Sequence, residues 1–368
     1  AMLPYYDSRY GNPSSVYELG EESRQAVEAA REQIADTLSA DPDTIFFTSG
    51  GTESDNWALR FAAEHALSGA SAAKRERPHI ITTAIEHHAI LRTCEELEKE
   101  GVHVTFLPVN PEGIVDLAAM ERAICPETAV VSVMYANNEI GTLQPIRRAA
   151  AIAHSHGVLF HTDAVQAYGQ IPIDPEQLGI DLMSASGHKL NGPKGIGFLY
   201  VRKGLDITPI IRGGSQERGK RAGTENVPGI VGMGCAARIS YQMMRQKIQR
   251  ETALRDYMIR RLLREIPDLK LNGSARMRLP NNINCCIRGV NSGALVALMD
   301  LEGICISAAS ACSAGSSTPS HVRLAIGNAP AEARTAIRIT LGYQTTREEI
   351  DIAADTLKRL IMKLRSMS

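Results

Sequence analysis

Surplus charge is the first thing this sequence lacks: 40 Lys and Arg face 41 Asp and Glu, a formal net charge of -1. Such a balance gives no bulk attraction to nucleic acid or to an anionic membrane, so neither is an expected partner. Long apolar runs are missing too, and no stretch approaches the ~18 residues of a membrane-spanning helix. The opening Ala1-Met2-Leu3-Pro4-Tyr5-Tyr6-Asp7 has no basic region followed by an apolar one, so a cytoplasmic location is the expectation. Seven cysteines, at 94, 125, 235, 285, 286, 305 and 312, are an odd number without a C-x-x-C pair. That pattern fits neither a disulfide framework nor a zinc ribbon, and it leaves room for one thiol to matter as a thiol.

What is present is a globular balance of 44% hydrophobic and 22% charged residues. At roughly 100 to 200 residues per domain, the length predicts two or three domains. Apolar positions Val27, Ala30, Ile34 and Leu38 recur at helical spacing between Val16 and Leu38. Strand-like runs at Thr44–Phe47, His79–Thr83, His103–Val109, Ala129–Tyr135 and Val158–His161 then alternate with helical stretches at Leu91–Glu100 and Ile146–His156. Strands separated by helices require crossover connections, hence an α/β fold with a mostly parallel sheet covered on both faces. After Gly213-Gly214-Ser215 comes a charged helical region, Tyr241–Glu265, and then strand-like runs at Asn282–Ile287, Gly303–Ser307 and Ala336–Leu341. A closing helix carries Ile350, Ala354, Leu357, Ile361 and Leu364 on one face. The expected division is a large domain over 13–240, with 1–12 and 241–368 forming a smaller α+β domain.

Four constellations carry possible chemistry. Phe47-Thr48-Ser49-Gly50-Gly51-Thr52-Glu53 runs from a strand through a glycine turn into a helix. It suits a phosphate held by backbone N–H groups and the helix dipole, or is an ordinary turn with Thr52 as N-cap. In His161-Thr162-Asp163, period 2 puts His161 and Asp163 on one face at a strand's carboxyl end. Asp163 there is a structural cap, or the partner of a protonated ring nitrogen. Lys189, in Ser186-Gly187-His188-Lys189-Leu190-Asn191-Gly192, is a solvated loop lysine, or a partly desolvated amine able to form an imine. Cys312, in Ser310-Ala311-Cys312-Ser313-Ala314-Gly315, is a small buried residue or a reactive thiol on a loop of small residues. A phosphate cradle, a carboxylate for a ring nitrogen and an imine-forming lysine are together what pyridoxal 5'-phosphate (PLP) requires.

From Tyr10-Gly11-Asn12-Pro13-Ser14-Ser15 almost to the C-terminus, these motifs resemble the cysteine desulfurases, PLP enzymes of the class V aminotransferase family, specifically the NifS/IscS-like group. The resemblance implies fold type I: a large domain with a mostly parallel seven-stranded sheet, plus the smaller α+β domain. It implies that Lys189 bonds the cofactor, Asp163 pairs with the pyridinium nitrogen and Gln166 bonds the ring hydroxyl oxygen. His87, in Glu86-His87-His88, matches the ring-stacking histidine, which also moves protons. Gly51, Thr52, Ser186 and His188 match the phosphate contacts, and Thr224, in Arg221-Ala222-Gly223-Thr224, matches a contact to the neighbouring subunit's phosphate, implying a homodimer. Asn138 and Arg338 match the residues that hold the substrate carboxylate, and a guanidinium suits that anion through paired hydrogen bonds. Cys312 matches the nucleophile that takes sulfur from L-cysteine as a persulfide, leaving L-alanine. A sulfur-acceptor or iron–sulfur scaffold protein is then an implied partner. Ala309 stands where many relatives carry Gly.

Other patterns are weaker. Gly214-Ser215-Gln216-Glu217-Arg218-Gly219-Lys220-Arg221 approaches a P-loop, but Arg221 occupies the Ser/Thr position. Gly232-Met233-Gly234-Cys235-Ala236-Ala237 reads as G-x-G-x-x-A but lies in a helical stretch. A metal site from His154, His156, His161 and Asp163 fails because His154 and His156 do not share a helix face. No metal is expected. A non-enzymatic scaffold requires a fold without Lys189 chemistry. Within the fold, a selenocysteine lyase or another class V lyase or aminotransferase is the alternative.

Overall fold

A computed structural model describes residues 1–68, 77–308 and 319–367. Seven strands form the larger sheet: β1 (Ile45–Thr48), β2 (His79–Thr83), β3 (His103–Leu107), β4 (Thr128–Ser132), β5 (Leu159–Asp163), β6 (Leu182–Ser186) and β7 (Gly197–Val201), in the order β1-β7-β6-β5-β4-β2-β3. The pairings β3-β2, β2-β4, β4-β5 and β5-β6 are parallel, while β7 runs antiparallel to both β6 and β1. Every strand but β7 therefore ends at the same edge. β1, β2, β4 and β6 are buried throughout, as strands covered on both faces must be. Helix Gly51–Ser68 packs one face with Trp57, Ala58 and Phe61 against Phe46, Leu182 and Leu199.

A second sheet has three antiparallel strands, β8 (Leu269–Leu271), β9 (Asn282–Ile287) and β10 (Ala336–Thr340), in the order β10-β9-β8. Its core joins Ile283, Cys285 and Ile337 to Leu295 and Met299 of helix Ser292–Leu301, and to Leu357 and Ile361 of helix Arg347–Ser366. Thr346 opens the last helix with a capping box: its hydroxyl accepts the Glu349 amide, and Glu349 accepts the Thr346 amide.

The chain divides into two compact units, 1–107 with 117–135 and 145–244, and 108–116 with 136–144 and 245–368. These units differ from the expected division into 13–240 and 1–12 with 241–368. Residues 1–12 group with the larger unit, where Met2 lies so close to Gly232 that a Cβ there would sit 2.7 Å from the Met2 sulfur. Residues 136–144 group with the smaller unit because Leu143 N donates to Met277 O at 2.8 Å and Asn282 Nδ2 to Glu139 O at 3.1 Å. The run Gly303–Ser307 is not a strand; Gly303 has φ +75°, and Ser307 alone bridges Arg338. Helix Val227–Glu265 starts earlier than expected and absorbs the G-x-G-x-x-A run, whose Gly234 admits Ala30 where a Cβ would sit 2.8 Å away.

Candidate active site

The larger sheet's carboxyl edge gathers most of the candidate residues. Register sets Thr48 and Ser186 opposite Gly197, and Asp163 opposite Ser184. The turn after β1 seats on that row: a Cβ on Gly51 would lie 2.4 Å from Val165 Cγ2, and one on Gly197 would lie 2.7 Å from Gly50 Cα. Glycine is what lets backbone approach this closely. Helix Gly51–Ser68 starts here, with Thr52 exposed inside its first turn rather than capping it. Glu53 turns back to accept the Ser49 amide at 2.8 Å, and Arg221 reaches the same carboxylate at 2.9 and 3.1 Å. That ion pair ties the exposed Thr224, three residues on, to the helix start.

Asp163, at the end of β5, is buried, and one oxygen accepts the Val165 amide at 2.9 Å. Burial pushes its carboxyl up to about 6, against the Val165 bond and the charge of Lys189, which pull it down. Beside it lie two acids that no motif singles out. Asp55 is pushed well above the usual carboxylate range by burial and then by Asp163, and its Oδ1 has no hydrogen-bond partner among the described residues. Glu86 accepts from Thr83 Oγ1 at 2.7 Å and from the Met134 amide at 2.9 Å, and burial raises it to about 8. Between the strands, His161 Nδ1 meets Ser132 Oγ at 2.8 Å and Nε2 meets Ser184 Oγ at 3.1 Å. Burial lowers that imidazole to about 3, so it is neutral. Asp55 had a sequence signal, since it falls on the helix stripe shared with Ala58, Leu59 and Ala62.

Lys189 sits on a short 3-10 turn, Gly187–Leu190, directly after β6. It is exposed in the single chain, not desolvated as its small neighbours suggest. Its carbonyl accepts from Gln170 Nε2 at 3.2 Å. Ser186 Oγ and His188 Nδ1 are 2.8 Å apart, and burial, then Lys189 and Lys194, lower the imidazole's pKa. His87, after β2, caps helix His88–Lys99: its Nδ1 accepts the Ala89 amide at 3.1 Å, which leaves Nε2 the protonated nitrogen of the neutral ring. Gln166 is half-buried on the turn after β5.

The smaller unit holds the other pair. Arg338, on β10, donates through Nη1 to Asn138 O at 3.0 Å and through Nη2 to Ser307 Oγ at 3.4 Å. Asn137 Oδ1 accepts the amides of Glu139 and Ile140 at 2.9 and 3.0 Å, which fixes the turn carrying Asn138. Cys312 lies outside the described residues.

The Aminotransferase class-V family model matches residues 1–352. The chain is 49% identical over 369 residues to a cysteine desulfurase IscS of Dictyoglomus turgidum, an alignment covering all of this chain and 92% of that one. It superposes on a NifS-like protein with TM-score 0.90 at 36% identity, covering 98% and 94% of the two chains. A structure titled SspA in complex with cysteine gives TM-score 0.80 at 36% identity, covering 94% of each. The chain belongs to the class-V aminotransferases and, within them, to the cysteine desulfurases.

That family's cofactor is PLP, and the residues present fit it. A buried carboxylate driven toward protonation at a strand end is what a protonated ring nitrogen relieves, since an opposite charge at close range offsets burial. A helix N-terminus seated through two glycines beside Ser186 offers N–H groups to a phosphate.

Proposed function

We infer that this protein is a PLP-dependent cysteine desulfurase, converting L-cysteine to L-alanine and passing the sulfur on as a persulfide of Cys312. The observation that carries this reading is the buried Asp163 carboxylate at the end of β5, with Lys189 on the turn after the adjacent β6. Full-length identity to a cysteine desulfurase supports the substrate.

When bound, PLP supplies an electron sink for bonds at the substrate α-carbon. The chain's own groups do the rest. Asp163 would accept the ring N–H and keep that nitrogen charged, while burial raises the nearby Asp55 and Glu86 carboxyls. Gly51 and Thr52 at the helix start, with Ser186 and His188, hold the phosphate, and Gln166 holds the ring hydroxyl oxygen. Lys189 Nζ would hold the cofactor aldehyde and, once the substrate amine has taken its place, would be free to move the proton at the substrate α-carbon. His87, its tautomer set by the Ala89 amide, would stack on the ring and present Nε2–H. Arg338 and Asn138 hold the substrate carboxylate. As Cys312 Sγ bonds the substrate's sulfur, the substrate's Cβ–S bond would break with its electron pair left on carbon, and that carbon would take up a proton to become the methyl group of alanine.

Thr224, tethered through Arg221 to Glu53, serves the partner subunit's phosphate in a homodimer. No described helix is long and apolar enough to cross a membrane. The acceptor is an iron–sulfur scaffold or another sulfur carrier protein. Incubation with PLP, L-cysteine and dithiothreitol should release alanine and sulfide in equal amounts; absence of alanine refutes the assignment.

A further inference from the structure

Arg323 and Glu139 are each only 2% exposed, and Arg323 Nε lies 3.6 Å from Glu139 Oε2. Two buried charges are costly unless both find further partners, and here those partners are specific. Arg323 Nη2 donates to Ala308 O at 2.7 Å, and Nη1 donates to Ala333 O at 2.8 Å. Glu139 Oε2 accepts from Ser320 Oγ at 2.7 Å, and Ser320 Oγ in turn accepts the Arg323 amide at 3.4 Å. Ala308 and Ser320 flank the stretch that contains Cys312 in sequence.

The same network continues to the carboxylate-holding pair. Glu139 O accepts from Asn282 Nδ2 and Asn284 Nδ2, both at 3.1 Å, so its main chain is anchored to β9. Its neighbour Asn138 accepts Arg338 Nη1 through its carbonyl. Ser307, one residue before Ala308, exchanges two backbone hydrogen bonds with Arg338, at 3.0 and 2.6 Å. One stem of the Cys312 stretch is thus tied to Arg338 and Arg323, and the other to Glu139.

We propose that Arg323, paired with Glu139, is a positioning residue that holds both stems of the Cys312 stretch in register with the Asn138–Arg338 carboxylate anchor. The inference rests on the reading of Cys312 as the sulfur acceptor. Its consequence is selective. Binding of the substrate carboxylate stays with Arg338 and Asn138, whereas delivery of the thiol depends on the stems.

The test uses PLP-loaded protein carrying Arg323→Met with Glu139→Gln, which removes both buried charges and keeps an acceptor for Ser320. Arg323→Lys, which keeps the charge but lacks the second terminal nitrogen, is the companion should the double variant fail to fold. Cysteine binding is read from the change in cofactor absorbance, alanine formation from a single turnover, and stem order from hydrogen exchange over 305–308 and 319–325. The expected result is half-saturation by cysteine within about twofold of the parent and alanine formation slowed about 10- to 100-fold, the penalty of a misplaced reacting group. Exchange should quicken at both stems and stay unchanged in β1–β7. Parent-like rates and exchange in a folded Arg323 variant overturn the proposal, as does exchange that quickens across the whole smaller unit with binding and turnover falling together. Cys312→Ser separates the two readings. If it still forms alanine at the parent rate, the nucleophile assignment fails, while the exchange at the stems continues to judge the clamp.

Discussion

Arg31 and Glu217 meet through two parallel hydrogen bonds, Nη2 to Oε1 at 2.8 Å and Nη1 to Oε2 at 2.9 Å, with both side chains 3% exposed. Oε2 also accepts the Phe47 amide at 2.8 Å, so the pair fixes strand β1 just ahead of the Gly50-Gly51 turn. Glu217 and Arg218 hold left-handed φ values of 47° and 57°, conformations an L-residue keeps only when its surroundings insist. Removing one partner leaves the other charge buried and uncompensated. Arg31→Met should therefore cost about 3–5 kcal/mol in urea unfolding, and Arg31→Met with Glu217→Gln should recover part of that loss. A single variant within about 0.5 kcal/mol of the parent, the range of an ordinary surface change, would contradict this account.

The buried acids make stability depend on pH in a definite direction. Glu86 ionises at about 8 in the fold against 4.5 as its ordinary value. Between those limits the folded chain keeps a proton that the unfolded chain has lost. Its stabilising effect is complete below the ordinary value and disappears as pH rises through the folded one. One such proton contributes a slope of about -1.4 kcal/mol per pH unit. Asp163 and Asp55 are shifted the same way and add slopes of their own. His161, lowered by burial from 6.5 to about 3, stays neutral in the fold while the unfolded chain takes up a proton below 6.5, so it opposes them with a rising slope up to that pH. Glu86→Gln should flatten the decline by one proton's worth; an unchanged slope means that Glu86 is ionised in the native state.

Much of this was legible in the sequence. Local periodicity located β2 and β9 to the residue, and it set Asp163 at the carboxyl end of a strand and Gly51 in the turn after one. What escaped depends on partners far along the chain. Glu139 gives no local sign that Ser320 will cap its charge, nor Arg31 that Glu217 will, because those meetings are set by tertiary packing. Gly303–Ser307 failed for the opposite reason: its composition is strand-like, but one bridge to Arg338 is all the pairing it makes among the described residues. The extent of Lys189 burial was also beyond local reading, since small neighbours predict a tight turn but not which way it projects.

Asp163 should set the charge of the cofactor ring. A carboxylate at close range raises the pKa of a protonated nitrogen by about 1–3 units, and the neutral amide of Asp163→Asn removes that pull. Titration of the bound cofactor's absorbance should show the ring nitrogen losing its proton at correspondingly lower pH in the variant. Lys189→Ala addresses attachment: after borohydride reduction and digestion, the parent peptide containing residue 189 should carry a pyridoxyl mass that the variant lacks. A pyridoxyl group on a different lysine in the parent would refute the assignment.

Gly141 ends the turn that carries Asn138 with φ +72°, and a Cβ there would lie 2.5–2.7 Å from Asn282 Oδ1, Cγ and Cβ. Asn282 cannot give way cheaply, because its Nδ2 donates to Glu139 O. Gly141→Ala thus combines a left-handed alanine with overpacking, together about 2–4 kcal/mol, and the disturbance reaches Asn138 three residues away. Thr346→Ala provides the contrast. It removes only the capping hydroxyl of the final helix, worth about 1 kcal/mol. Gly141→Ala should raise KM for cysteine as well as lower stability, whereas Thr346→Ala should lower stability alone. If both variants lost stability and neither changed KM, the turn at 137–141 would be a packing element and Asn138 would have no part in holding the substrate.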